Sequence, residues 1–147
     1  MSHKEHLSAF LELLDRVHVG TMATIGSDGY PRTRWMTATT LKGERDFLYC
    51  VSMADSRKAI ELKECDRVEW SFQSPDLKQI ISIKGRAAVI ESPELKAQVL
   101  EALGRNLERF WTINPDPRKM VVIETAIEDV SQLSLGNNQK AQKGAES

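Results

Sequence analysis

Apolar positions change period several times along the chain, and each change marks an element. Leu7, Phe10, Leu11, Leu13, Leu14 and Val17 recur with a helical period, opposite Glu12, Asp15 and Arg16. Ser2 is placed to cap this helix, with Ser8 as the alternative cap for a frayed start around His3 and His6. Val19 to Ile25 (VGTMATI) then reads as a strand, and the Asp28-Gly29 pair after it as a hairpin turn, since Gly accepts positive φ. Arg32 to Leu41 (RTRWMTATTL) predicts a second strand, of mixed polarity and uninterrupted by Gly or Pro. A charged turn from Lys42 to Asp46 leads to Phe47–Ser52 (FLYCVS), apolar enough for a strand buried on both faces.

Met53-Ala54-Asp55 links that strand to a short helix over Ser56–Lys63, capped by Asp55 or Ser56, with Ala59, Ile60 and Leu62 turned inward. Arg67 to Phe72 alternates strictly, placing Val68, Trp70 and Phe72 in the core. Gln79 to Ile90 is a long strand in which Gly85 predicts a bulge or bend. Ser92-Pro93-Glu94 opens a helix that Gly104 stops near Leu103, so Glu91 and Glu94 read as residues of a helix start and not as paired catalytic acids. Arg105 to Trp111 allows one more helical turn, Asn114 to Pro117 is a rigid loop, and Met120 to Leu133 supplies a last strand or two. Residues 136–147 have nothing to bury and are expected to be disordered, leaving one domain over 1–135. Strands joined by short turns predict antiparallel pairing, and a bend at Gly85 favours closure into a small barrel.

Charge then removes some functions. Twenty Lys and Arg stand against 21 Asp and Glu, so the chain lacks the positive excess of a nucleic-acid binder. No apolar run approaches the ~20 residues of a membrane helix, and MSHKEHLSAF is not a secretory signal, so a cytoplasmic protein is expected. Cys50 and Cys65 have no metal-ligand spacing and read as free thiols. His3, His6 and His18 form no ligand set, and no Ser-His-Asp or Cys-His pairing stands out. Neither GxGxxG nor GxxxxGK[ST] occurs.

The stretch with chemistry in it runs from Arg34 to Lys58. Ser56, Arg57 and Lys58 bring a hydroxyl, two cations and free backbone N–H groups to a helix start, the components of an anion cradle. Read alone, the same three residues are more often a solvated helix start.

The order GTMATIGSDGYPRTRWM, FLYCVSMADSRKAIEL, RVEWSF and IKGRAAVIE resembles the pyridoxamine 5'-phosphate oxidase-related family, in particular its small general-stress-protein-like members. The resemblance is strong from Leu7 to Glu91, and SMADSRKAIEL after an apolar strand is its most specific piece. It implies a mainly β fold with flanking helices, a six-stranded antiparallel split barrel, and a homodimer holding one FMN in each of two interface clefts. By the same resemblance Arg34, Trp35, Met36 and Thr37 line the isoalloxazine and ribityl chain, largely through backbone groups, with Arg34 reaching the phosphate. Val51 and Ser52 lie beside the flavin, and Ser56, Arg57 and Lys58 hold its phosphate. The implied activity is that of an FMN-dependent oxidoreductase of undefined substrate. Three readings share the fold: a non-enzymatic FMN carrier or stress protein, a relative that has lost the flavin, and one that takes haem or a deazaflavin.

Departures narrow the activity. The oxidase proper has a lysine near the position of Thr39, a glutamine at that of Ile80 and an Arg-x-His segment where this chain ends GNNQKAQKGAES. Gln79 is adjacent to the second of these, but one step along a strand points to the other face. Oxidation of pyridoxine phosphate itself is therefore not expected.

Overall fold

The computed structural model describes residues 2–107, 117–134 and 139–142. Its first helix, α1 (His3–Val17), begins with a reciprocal capping box. The Glu5 backbone N–H donates to Ser2 Oγ and the Ser2 backbone N–H donates to Glu5 Oε1. His18 ends the helix in the left-handed region, φ 58°, and its N–H returns to the Leu14 carbonyl. This firm start corrects the expectation of a fraying one. His6 is fully buried, because it lies one turn before Phe10 on the face that also carries Leu13.

β1 (Val19–Ile25) and β2 (Pro31–Thr37) form a hairpin, and Gly29 in its turn holds the positive φ expected of it, 84°. The strand predicted over Arg32–Leu41 is broken. Ala38 leaves the sheet to donate its N–H to the His18 carbonyl, and β3 (Thr39–Leu41) starts one residue later. The chain continues through β4 (Glu44–Met53), α2 (Arg57–Glu64), β5 (Arg67–Gln73), β6 (Gln79–Ile90), α3 (Pro93–Leu103), β7 (Met120–Ser134) and β8 (Gln139–Gln142). Every strand pair is antiparallel, in the order β2-β1-β5-β6-β7-β4-β3, with β8 beside β7.

β2 and β3 thus lie at opposite edges of one sheet, yet only Ala38 separates them in sequence. The edges can meet so closely only if the sheet curls round on itself, which is the split barrel. Eight strands stand among the described residues where six were expected. The break at Ala38 accounts for one and β8 for the other. β8 falls in the stretch expected to be disordered; residues 136–138 and 143–147 of that stretch lie outside the described residues, as does 108–116 with Trp111.

The barrel fills as the alternating strands predict. Trp70 stacks on Phe72 with ring centroids 5.6 Å apart, and Phe10 from α1 meets Phe72 edge-on at 5.1 Å. At Gly85 the register shifts, forming the expected bulge, and a Cβ there would overlap the Ala126 carbonyl. β4 is buried on both faces: Leu48 and Cys50 join the main core, while Tyr49 and Val51 join a second cluster with Val99 and Leu103 of α3. Both cysteines are free thiols, Cys50 buried and Cys65 partly so.

Candidate functional site

α2 starts where β4 ends, and the turn between them brings polar side chains together. Ser56 is the N-cap, its Oγ accepting from the Ala59 N–H at 3.2 Å. The same oxygen lies 3.0 Å from Ser52 Oγ, two residues along β4 from Cys50 on the same face. Facing them across the seam is β2, where alternation sends Arg32, Arg34 and Met36 inward and Pro31, Thr33 and Trp35 outward.

Arg34 is held from one side only. Its Nη1 donates to Thr24 Oγ1 at 2.9 Å and to the Met22 carbonyl at 3.3 Å, and Nη2 stands 3.8 Å from Glu61 Oε1. Two of its five N–H groups are thereby used, and among the described residues Nε and Nη2 have no hydrogen-bond acceptor. Glu61 is 7% exposed, accepts from Thr24 Oγ1 at 3.0 Å and lies 3.0 Å from Arg32 Nε.

The electrostatics mark the same place. Burial, and after it the Arg34 charge, hold the Lys58 ammonium below its ordinary pKa. Burial also lowers Arg34, against the pull of Glu61. The Cys50 thiol is pushed up to about 12 by burial, opposed by Lys58 and Arg34. A partly desolvated Lys58 therefore stands within the field of the Arg34 charge, which disfavours its ammonium, and Arg34 in turn feels Arg32, with the neutral Cys50 thiol in the field of both Lys58 and Arg34.

The structure sorts the residues named from the sequence. Arg34, Ser52, Ser56 and Lys58 come together. Arg57 is exposed. Trp35 is 80% exposed on the outer face, which excludes the core-filling role that an indole often takes. Met36 packs against the main core, and the Val51 side chain belongs to the cluster under α3, so from Val51 only the backbone is left to face the cradle. The four consecutive residues of β2 cannot all present side chains to one ligand, because alternate ones point to opposite faces.

Glu61, Thr24 and Arg32 were missed. α2 also corrects the expected inward face: Ala59 and Leu62 are buried, but Ile60 is 54% exposed and Glu61 takes the inward position. A 3.6-residue period puts Ile60 opposite the arc of Lys58, Ala59, Glu61 and Leu62. The available signal was Glu61 three residues after Lys58, on one helix face, opposite Arg32 and Arg34 on one strand face.

No group of three metal-ligating side chains occurs among the described residues, and no helix there is long and apolar enough to cross a membrane. A cavity of about 470 Å³ lies on the other face of these strands, lined by Thr21, Ala23, Thr33 and Ser71 with Lys84 and Arg86. Its lining includes none of Arg34, Ser52, Ser56 and Lys58.

A curled antiparallel sheet with three helices, whose edges meet at a seam lined by Arg34, Lys58, Ser52 and Ser56, defines a split-barrel protein. The chain belongs to the pyridoxamine 5'-phosphate oxidase family, whose model matches residues 5–134. No curated protein matches it. Among solved structures, it is similar to a general stress protein 26-related protein of Clostridium acetobutylicum, with 13% identity over 97% of this chain and 95% of that one, TM-score 0.75. General Stress Protein 26 of Bacillus anthracis superposes with TM-score 0.72 at 18% identity, over 97% and 99% of the two chains. A heme binding protein of Mycobacterium smegmatis gives TM-score 0.71 at 18% identity, covering 97% of this chain and 58% of that one. At these identities the likeness is one of fold.

Proposed function

We propose that this chain is an FMN-binding flavoprotein, an oxidoreductase working as a homodimer, with the flavin phosphate between Arg34, Lys58, Ser52 and Ser56. The observation that carries this reading is Lys58: partly buried beside Arg34, it has no hydrogen bond or ion pair among the described residues. Lys58, partly withdrawn from water near Arg34 and with no ion pair among the described residues while Glu61 serves Arg32 and Arg34, is unfavourable until an anion arrives. The spare Arg34 donors and the start of α2 fit a phosphate, which takes charge-assisted bonds from Arg and backbone N–H groups together. β2 is an edge strand, so one row of its backbone N–H and C=O groups is free of the sheet and suits the polar rim of a planar ring.

A bound flavin supplies hydride or single-electron transfer, and the residues described here bind and orient it. No side-chain acid or base is assigned. The homodimer is supported by the outer sheet face, where Val19, Ile25 and Trp35 are exposed together.

The test is the absorbance of the purified protein, followed by titration with FMN. A flavin spectrum, or saturable FMN binding that Arg34→Ala with Lys58→Ala weakens by roughly 100-fold, is the expected result. A protein that takes up no flavin overturns the reading. The likeness to a heme binding protein gives a second reading, since propionate carboxylates need similar partners. A Soret band on adding hemin, without flavin uptake, would decide for it. Consumption of NADH or NADPH by the flavin-loaded protein separates an enzyme from a carrier.

A further inference from the structure

We propose that Glu61 is a positioning residue for the phosphate, acting through Thr24 to hold Arg34 with its spare donors turned toward the ligand. This deepens the flavin-phosphate reading and rests on it.

A carboxylate on the inner face of an eight-residue helix is costly to bury and needs a compensating arrangement. Glu61 has one. Oε1 accepts the Thr24 hydroxyl proton at 3.0 Å. A threonine hydroxyl has only one proton, so giving it to Glu61 fixes the rotor and turns the Oγ1 lone pairs toward Arg34. Arg34 Nη1 donates into that oxygen at 2.9 Å and to the Met22 carbonyl at 3.3 Å. Thr24 and Glu61 are both buried, so water does not compete for these bonds.

The separation between Glu61 and Arg34 matters equally. At 3.8 Å from Nη2 the carboxylate is too far for a hydrogen bond, so it supplies charge without using a donor. A carboxylate competing with the ligand would instead sit on Nε or Nη2. Its other oxygen is occupied by Arg32, whose Nε lies 3.0 Å away in an ion pair without hydrogen-bond alignment. Arg32 is itself tied to Asp28 of the hairpin turn at 3.4 Å. Glu61 is thus paired with Arg32 while Arg34 keeps three N–H groups for the phosphate.

FMN and riboflavin differ only by the phosphate, so fluorescence titration with both isolates the effect. We expect Thr24→Val and Glu61→Gln each to weaken FMN about tenfold, leave riboflavin unchanged, and add nothing when combined with Arg34→Ala. Equal losses for both flavins, or a loss that adds to Arg34→Ala, would mean a merely structural Glu61 and overturn the proposal. Tighter FMN binding by Glu61→Gln would make Glu61 a competitor and overturn it too. If Glu61→Gln does not fold, Thr24→Val, which keeps the side-chain shape, decides by the same criteria. A wild-type protein that binds FMN and riboflavin equally would overturn the phosphate reading itself, a result distinct from any failure of Glu61.

Discussion

α1 and α2 both lie against the same sheet, but they turn different chemistry toward it. α1 contributes Leu7, Phe10, Leu13 and Leu14 to the main core. α2 contributes Ala59 and Leu62, and beside them a buried carboxylate and a half-buried ammonium. Apolar burial of the first kind stabilises at about 25 cal/mol per Å², whereas burying charge costs stability unless partners are supplied. The α1 side of the barrel is therefore built to fold. The α2 side buries charge that does not help it fold, which the proposed phosphate site would put to use. Stability and ligand affinity should accordingly respond to different residues.

The largest effect is expected from Phe10→Ala. Phe10 is fully buried and meets Phe72 edge-on, so its loss leaves a cavity and should cost about 3–5 kcal/mol in urea unfolding. Once folded, that variant should keep the wild-type ratio of FMN to riboflavin affinity. A changed ratio would show that the α1 side shapes the cradle and would break the separation. Lys58→Met is the converse experiment, keeping the stem and removing the charge. FMN affinity should fall about 10- to 100-fold, while unfolding of the ligand-free protein becomes no easier, because a desolvated cation beside Arg34 has gone. A Lys58→Met protein that unfolds readily would mean that the ammonium holds the fold together.

The α1 side was legible in the sequence because each of its signals is local. The face of α1, the Asp28-Gly29 turn, the Ser92-Pro93 start and the Gly85 bulge all follow from period or backbone chemistry within a few residues. The α2 side was legible in part. Ser56 and Lys58 stood out as cations and caps at a helix start, but a glutamate on a short charged helix reads as solvated. Only the approach of β2, which is set by tertiary packing, buries Glu61 against Arg32 and Thr24. Ala38 was hidden for the same reason: nothing in RTRWMTATTL records that His18 takes its N–H out of the strand. Trp35 could not be assigned a face, since β2 carries polar and apolar residues on both sides and alternation alone does not say which is inside.

Cys50 stands on the border between the two sides, in the main core yet under Lys58 and Arg34. Its thiol ionises near 9.0 when unfolded and about 12 when folded. Above pH 9 the unfolded chain therefore loses this proton first, and stability that is complete below pH 9 declines as pH rises toward 12. Against Cys50→Ala measured at the same pH, the wild type should lose about 2 kcal/mol between pH 8 and pH 10.5. Parallel pH profiles for the two proteins would show that the cations above Cys50 cancel the effect of its burial, and would place it with the cradle.

The smallest effect on folding should come from the most conspicuous apolar residue. Trp35 is 80% exposed on the outer face of β2, directly opposite Thr21 and pointing away from both helices. Trp35→Ser removes no core contact and should shift unfolding of the dilute protein by less than about 0.5 kcal/mol. If a second copy covers this face, the same substitution should weaken dimerisation far more than that, because a tryptophan central to an interface often dominates its energy. Sedimentation across a concentration series reads the second quantity and urea unfolding at low concentration the first. A dimer constant unmoved by Trp35→Ser would place the partner elsewhere. A marked loss of monomer stability would mean that the outer face, like α1, contributes to folding, and the division would then run between the two faces of β2 and not between the two helices.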